Sequence, residues 1–396
     1  MQGRSPIPHP VSRRVLARLL ASAGAGLATA SCGGGVGSLW GDDGPKPQVA
    51  PAGPGVVRIG LILPLTGSGA TGVALKNAAE LAVAQFENPN VQLIVKDDRA
   101  SPDGARAAAQ EAIGEGAEIV LGPLFAPAVQ AASQVTRAAG KPMIAFSSDA
   151  SVASRGVYLL SFLPENEVER IVDFAFAQGK RSFAALIPED AYGSVASAAF
   201  QSAVAKRGGR LVAVQSLPAD RARMQPAIQA IAGVVAGPTA QADALFLPTR
   251  GDVLAIIAEG LGAANFSAAR VKPLGLGQWN ESSVFRIAQF QGGWFAAPDP
   301  SGFDNFAQRY RAKFNASPTR ISTLSYDAAS LVVALVRTQG QRRFSDEVLT
   351  NPSGFGGADG IFRFRQDGLS ERALAVNEIR NGQAVAVSAA PRSFGA

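Results

Sequence analysis

The sequence predicts an α/β protein made of two doubly wound parallel-sheet lobes, and three observations carry that prediction. Short β-branched or apolar runs alternate with amphipathic stretches from residue 56 to about residue 387. Each run is followed by enough helical sequence to act as a crossover, which parallel neighbours require. The rhythm restarts after 157–162, and the body is longer than one core usually holds.

In the first lobe the pattern predicts strands at 57–63, 91–96, 119–122 and 143–146, with helices over 73–86 and 103–114 and a third opening at Pro127. Asp103 is the expected N-cap of the second helix, and Pro127 suits a first helical turn. In the second lobe strands are expected near 183–187, 211–215, 244–247 and 271–275, separated by helices around 195–207, 224–235 and 253–261.

Ahead of the body, residues 1–31 read as an export signal. Arg13 and Arg14 form a charged region with a twin-arginine flavour, and the apolar stretch over 15–30 is too short and too rich in Ala and Gly for a comfortable membrane span. Leu27-Ala28-Thr29-Ala30-Ser31-Cys32 resembles a lipoprotein processing box, which makes Cys32, the only cysteine, the expected lipid attachment point. Thr29 departs from the usual leucine, and the alternative is an ordinary cleaved signal with an incidental cysteine. Residues 32–55 are dominated by glycine and proline and read as a flexible tether, with a span of roughly 25 Å.

Removing the leader changes the available chemistry. His9, the only histidine, leaves with it, so histidine-dependent hydrolysis, thiol catalysis and a disulfide scaffold are excluded for the mature chain. No catalytic residue, metal site or cofactor is expected. The formal charge of +6 falls to about +2 once Arg4, Arg13, Arg14 and Arg18 are gone, and no basic stripe with interleaved aromatics points to nucleic acid.

One motif argues for a different class. Gly67-Ser68-Gly69-Ala70-Thr71-Gly72, with Asp97 and Asp98 ending the next strand, matches a dinucleotide fingerprint. However, Pro64-Leu65-Thr66 intervenes between strand and first glycine, where a dinucleotide site needs the glycine at the strand end. The letters are better read as a cleft loop.

Segments spread through the body resemble a known family. They include Ile59-Gly60-Leu61-Ile62-Leu63-Pro64, Ile119-Val120-Leu121-Gly122-Pro123, Met143-Ile144-Ala145-Phe146-Ser147-Ser148, Asp190-Ala191-Tyr192-Gly193, Gly292-Gly293-Trp294-Phe295 and Ser325-Tyr326-Asp327-Ala328-Ala329. In order and spacing these are similar to the type I periplasmic solute-binding proteins, in particular the leucine-binding group of branched-chain amino-acid transporters. The resemblance implies the periplasmic binding protein-like I fold, with a three-crossing hinge near Leu163, Ala297 and Gly340. Lobe 1 would then hold 56–162 and 298–340, and lobe 2 would hold 163–297 and 341–396. It also implies a small polar ligand in the cleft, an ABC transporter permease as partner, and contact with the membrane through the lipid anchor.

Strand ends name the expected ligand-binding residues. In lobe 1 they are Thr66, Gly67 and Ser68, then Phe125 and Ala126, then Ser147, Ser148 and Asp149; in lobe 2 they are Tyr192, Thr249, Arg250, Trp279 and Asn280. Helix capping is the plainer role for the serines, and packing for Trp279.

The chain departs from the leucine-binding pattern where it matters. The hydroxyl-rich turn after the third strand is replaced by Phe125-Ala126-Pro127-Ala128, and the acid of the second lobe by Gly277-Gln278-Trp279. Gly277-Gln278-Trp279-Asn280 and Gly292-Gly293-Trp294-Phe295 also resemble the penicillin-binding-protein activator lipoproteins. That likeness implies a peptidoglycan synthase as the alternative partner, though the chain lacks the helical repeat domain that some of those proteins carry.

Overall fold

The computed structural model describes residues 55–67 and 69–394. The leader, Cys32, the tether and Ser68 lie outside the described residues. The first lobe runs β1 (Val57–Leu63), α1 (Ala70–Ala84), β2 (Val91–Asp97), α2 (Pro102–Gly114), β3 (Ile119–Leu121), α3 (Ala126–Ala138), β4 (Met143–Ala145) and β5 (Val157–Leu159). Its strands form a parallel sheet in the order β2-β1-β3-β4-β5.

Alternation along β1 sets the layers. Val57, Ile59, Leu61 and Leu63 face α1, while Ile62 packs with Ala105, Ala109 and Val129 of α2 and α3. Gly60 lets α2 approach, since a Cβ there would stand 3.1 Å from Ala112. Asp103 is not the cap of α2. Pro102, suited to the first helical position, moves the cap to Ser101, whose hydroxyl accepts the Gly104 N–H at 3.1 Å.

The chain then enters the second lobe through α4 (Pro164–Ala177) and continues with β6 (Ser182–Pro188), α5 (Ala191–Lys206), β7 (Arg210–Leu217), α6 (Arg221–Val235), β8 (Ala244–Phe246), α7 (Gly251–Ala263), β9 (Lys272–Gly275), the short α8 (Ser282–Phe285) and β10 (Trp294–Ala297). It returns to the first lobe as α9 (Pro300–Phe314) and α10 (Ser322–Thr338), which pack beside α1.

The third crossing is not at Gly340. Residues 341–372 stay with the first lobe as α11 (Asp346–Leu349) and a small antiparallel sheet of β11 (Phe355–Gly357), β12 (Gly360–Phe364) and β13 (Ser370–Arg372). The cause is apolar packing: Leu349, Phe362 and Phe364 belong to the same core as β1, α1 and α10. The chain crosses at Ala373 and Leu374, and β14 (Ala375–Arg380) and β15 (Gln383–Ser388) complete the second sheet in the order β15-β14-β10-β9-β8-β6-β7. That sheet is mixed rather than wholly parallel, because β14 pairs antiparallel with both β10 and β15.

Candidate functional site

The carboxyl ends of the strands in both lobes face one cleft of about 990 Å³. From lobe 1, the turn after β3 supplies Phe125 and Ala126, the segment after β4 supplies Ser147, Ser148 and Asp149, and Phe162 follows β5. From lobe 2 come Glu167 in the first turn of α4, Tyr192 in the first turn of α5, and Gly277, Gln278 and Asn280 after β9. The first turn of α9 and the segment just before α10 close the cleft with Phe303 and Arg320.

Seven of the residues expected from the sequence therefore meet here: Phe125, Ala126, Ser147, Ser148, Asp149, Tyr192 and Asn280. Two of them also serve local structure. The Ser147 hydroxyl accepts the Asp149 N–H at 3.1 Å, and Asp149 caps the following turn by accepting the Ser151 N–H at 2.9 Å. Phe125 stands at the lip, 41 % exposed.

The others are placed elsewhere. Trp279 is fully buried in the lobe 2 core: its indole N–H donates to the Leu247 carbonyl at 3.0 Å, and its ring stacks on Phe290 with centroids 5.2 Å apart. Gly275 leaves room for that ring, since a Cβ there would overlap the indole at 2.0 Å. Arg250 occupies the N-cap position of α7, exposed and without a side-chain cap hydrogen bond, beside the buried Thr249, and neither lines the cleft.

Thr66 and Gly67 are exposed and outside the lining too. The Thr66 hydroxyl donates to Asp97 at 2.6 Å, and the same carboxylate accepts the N–H groups of Leu65, Thr66 and Arg99. Partial burial pulls the Asp97 carboxyl upward, but these hydrogen bonds outweigh it and hold the group below the ordinary carboxylate range. Asp97 thus pins its own loop, and the carboxylate that a dinucleotide ribose would need is already engaged.

Glu167 is the residue that strand-end reasoning missed. It lies in the first turn of α4, where Pro164 fits the helix start and acidic side chains suit the dipole. Its carboxylate meets the Gly277-Gln278 stretch that reads as neutral in the sequence. One oxygen, Oε2, accepts the Gly277 N–H at 3.0 Å. Glu167 is 6 % exposed, and burial pushes its carboxyl up to about 7 against the opposing pull of that hydrogen bond and of Arg320.

Arg320 lies 4.6 Å over the Phe303 ring and donates to the buried carboxylate of Asp359. Burial pulls its guanidinium below its ordinary value. Among the described residues no group of three or more His, Cys, Asp or Glu side chains is disposed to hold a metal ion.

Comparison with known proteins agrees with this geometry. A family model described as periplasmic binding protein matches residues 56–384. No curated protein sequence matches. Among solved structures, a putative branched-chain amino acid ABC transporter protein from Rhodospirillum rubrum superposes with a TM-score of 0.74 at 21% identity, covering 84% of this chain and 100% of that one. A solute-binding protein of an ABC transporter from Rhodopseudomonas palustris, in complex with 3,4-dihydroxy benzoic acid, gives 0.62 at 21% identity, covering 85% and 97%. The substrate-binding protein LivJ from Streptococcus pneumoniae, in complex with isoleucine, gives 0.60 at 18% identity, covering 85% and 100%.

Proposed function

Because the chain belongs to the periplasmic binding protein family, we propose that it is the solute-binding component of an ABC transport system, held at the membrane by lipidated Cys32. Its ligand would be a small, amino acid-like solute. The observation that carries this reading is the cleft itself, about 990 Å³ in volume and lined by charged and aromatic side chains from both lobes. A solute seated there touches Asp149 and Phe125 on one side and Glu167 and Tyr192 on the other. It stabilises a closed arrangement to the extent that it binds that arrangement better than an open one. Three chain crossings supply the hinge, and a permease is the partner that receives the solute.

Thermal melting of the purified mature protein against amino acids, small peptides and organic ions tests the reading. At a ligand concentration a hundredfold above its dissociation constant, the expected stabilisation is about 2.7 kcal/mol. A flat screen, with capture of a penicillin-binding protein by the immobilised protein, would instead support regulation of a peptidoglycan synthase.

A further inference from the structure

The charge of the cleft points to its ligand. Five charged side chains line it: the carboxylates Asp149, Glu167, Glu281 and Asp304, and the single cation Arg320. Arg320 is already matched, because it donates to Asp359, a carboxylate with no exposed surface. What remains unbalanced is negative. Glu167 is the buried one of these carboxylates, 6% exposed, held in place by the Gly277 N–H at 3.0 Å while its side chain still lines the cleft. A cleft with low-dielectric walls focuses such a potential on whatever enters it.

Beside the polar side chains of Ser147, Ser148, Ser161, Gln278 and Asn280, much of the remaining surface is apolar and aromatic. Phe125, Phe162, Tyr192 and Phe303 line the same space. Aromatic faces attract cations as well as apolar bodies. The turn at Phe125-Ala126-Pro127 offers no hydroxyl to a carboxylate, and Pro127 removes one of the N–H groups that the start of α3 would otherwise present.

We infer that the cleft selects an organic cation, an amine on an aromatic or branched apolar body, with Glu167 receiving the ammonium and no requirement for a ligand carboxylate. The inference rests on the solute-binding reading and narrows it.

Two probe sets matched in shape and differing only in charge test it: phenethylamine, 3-phenylpropionate and phenylalanine, and isoamylamine, 4-methylpentanoate and leucine. Binding is read by titration calorimetry on wild type and on Glu167→Gln, a nearly isosteric change. The amines are expected to bind at least about tenfold more tightly than the carboxylates. Glu167→Gln should weaken them by roughly ten- to a hundredfold, the usual worth of a charge-assisted hydrogen bond, and leave carboxylate binding unchanged or improved. Carboxylates binding as well as amines, or amine affinity indifferent to Glu167→Gln in a variant that melts like wild type, overturns the cation assignment and leaves the solute-binding reading standing. If no probe in either set binds, the cation assignment falls, and the solute-binding reading is decided by the broader melting screen.

Discussion

Arg372 and Asp327 form a buried ion pair at the hinge, with Nη1 3.5 Å from Oδ2 and the two side chains 2% and 0% exposed. None of the guanidinium nitrogens has a hydrogen-bond partner among the described residues; the group lies instead beside the rings of Phe162 and Phe362, at 5.1 and 5.5 Å. Asp327 accepts the Ala358 N–H at 2.6 Å, and burial pushes its carboxyl up to about 7 despite the neighbouring cation. Removing one partner of such a pair strands the other. Arg372→Ala should therefore lower unfolding stability by about 3 kcal/mol or more, whereas Arg372→Met combined with Asp327→Leu should recover most of the loss. Urea midpoints of the three proteins decide it, and a double variant no better than the single one would show that the pair is not the cause.

Gly277 stands against Glu167 so closely that a Cβ would lie 2.7 Å from Oε1. Gly277→Ala should displace the carboxylate and reduce amine affinity by about tenfold, or roughly 1.4 kcal/mol. The melting temperature should change little, because this glycine does not occupy a left-handed backbone conformation. Calorimetry paired with a melt separates the two effects.

The pH dependence follows from the charging of Glu167. The groups acting on it are the Gly277 N–H and Arg320, which favour the anion, and the burial that disfavours it; Tyr192 and Glu165 stand nearby. Since the carboxyl sits near 7, amine affinity should rise between about pH 6 and about pH 8 as the anion forms. The empty protein should show the opposite trend. Its stability contribution from Glu167 is full below 4.5 and is lost as pH climbs through about 7. Binding isotherms across that range, repeated in Glu167→Gln, should lose the slope in the variant.

Asp149 and Arg250 separate cleft from surface. Asp149→Ala should weaken an amine several-fold, a modest effect because the carboxylate is exposed. Arg250→Ala, outside the cleft, should leave affinity within about twofold of wild type. Equal losses in the two variants would contradict the lining described above.

Cys32→Ser should move the protein from the membrane fraction to the soluble fraction without altering its melt. A firm anchor needs more than one acyl chain, and the Gly- and Pro-rich composition of residues 32–55 offers few apolar side chains. Fractionation of cells expressing the two forms measures this directly.

Periodicity made most of the two lobes legible. β1 to β4, β6 to β9, α1 to α3 and α5 to α7 occur near where the runs place them, because buried parallel strands and amphipathic helices write their burial into the local sequence, whereas the runs do not place α4. The segment over 341–372 was illegible for the opposite reason. Its allegiance is set by Leu349, Phe362 and Phe364 packing on distant helices, and short strands such as β11 carry no period that says which lobe they join. The cleft divides along the same line. Residues just past strand ends, such as Ser148 and Asn280, could be named, whereas Glu167 reaches Gly277 across 110 positions of sequence. Trp279 shows the converse: adjacency to a strand end did not reveal that its ring turns inward.

The third crossing also sets an order for synthesis. Because α9, α10 and residues 341–372 complete the first lobe, its apolar face over α1 waits uncovered until almost the whole chain has left the ribosome. The second lobe waits longer still for β14 and β15. The first lobe is therefore completed only shortly before the second, so nascent chains expose unpaired strand edges and apolar helix faces for most of translation. Truncation that removes β14 and β15 should therefore leave β10 as an exposed edge of the second sheet, a consequence of where one short connection crosses the hinge.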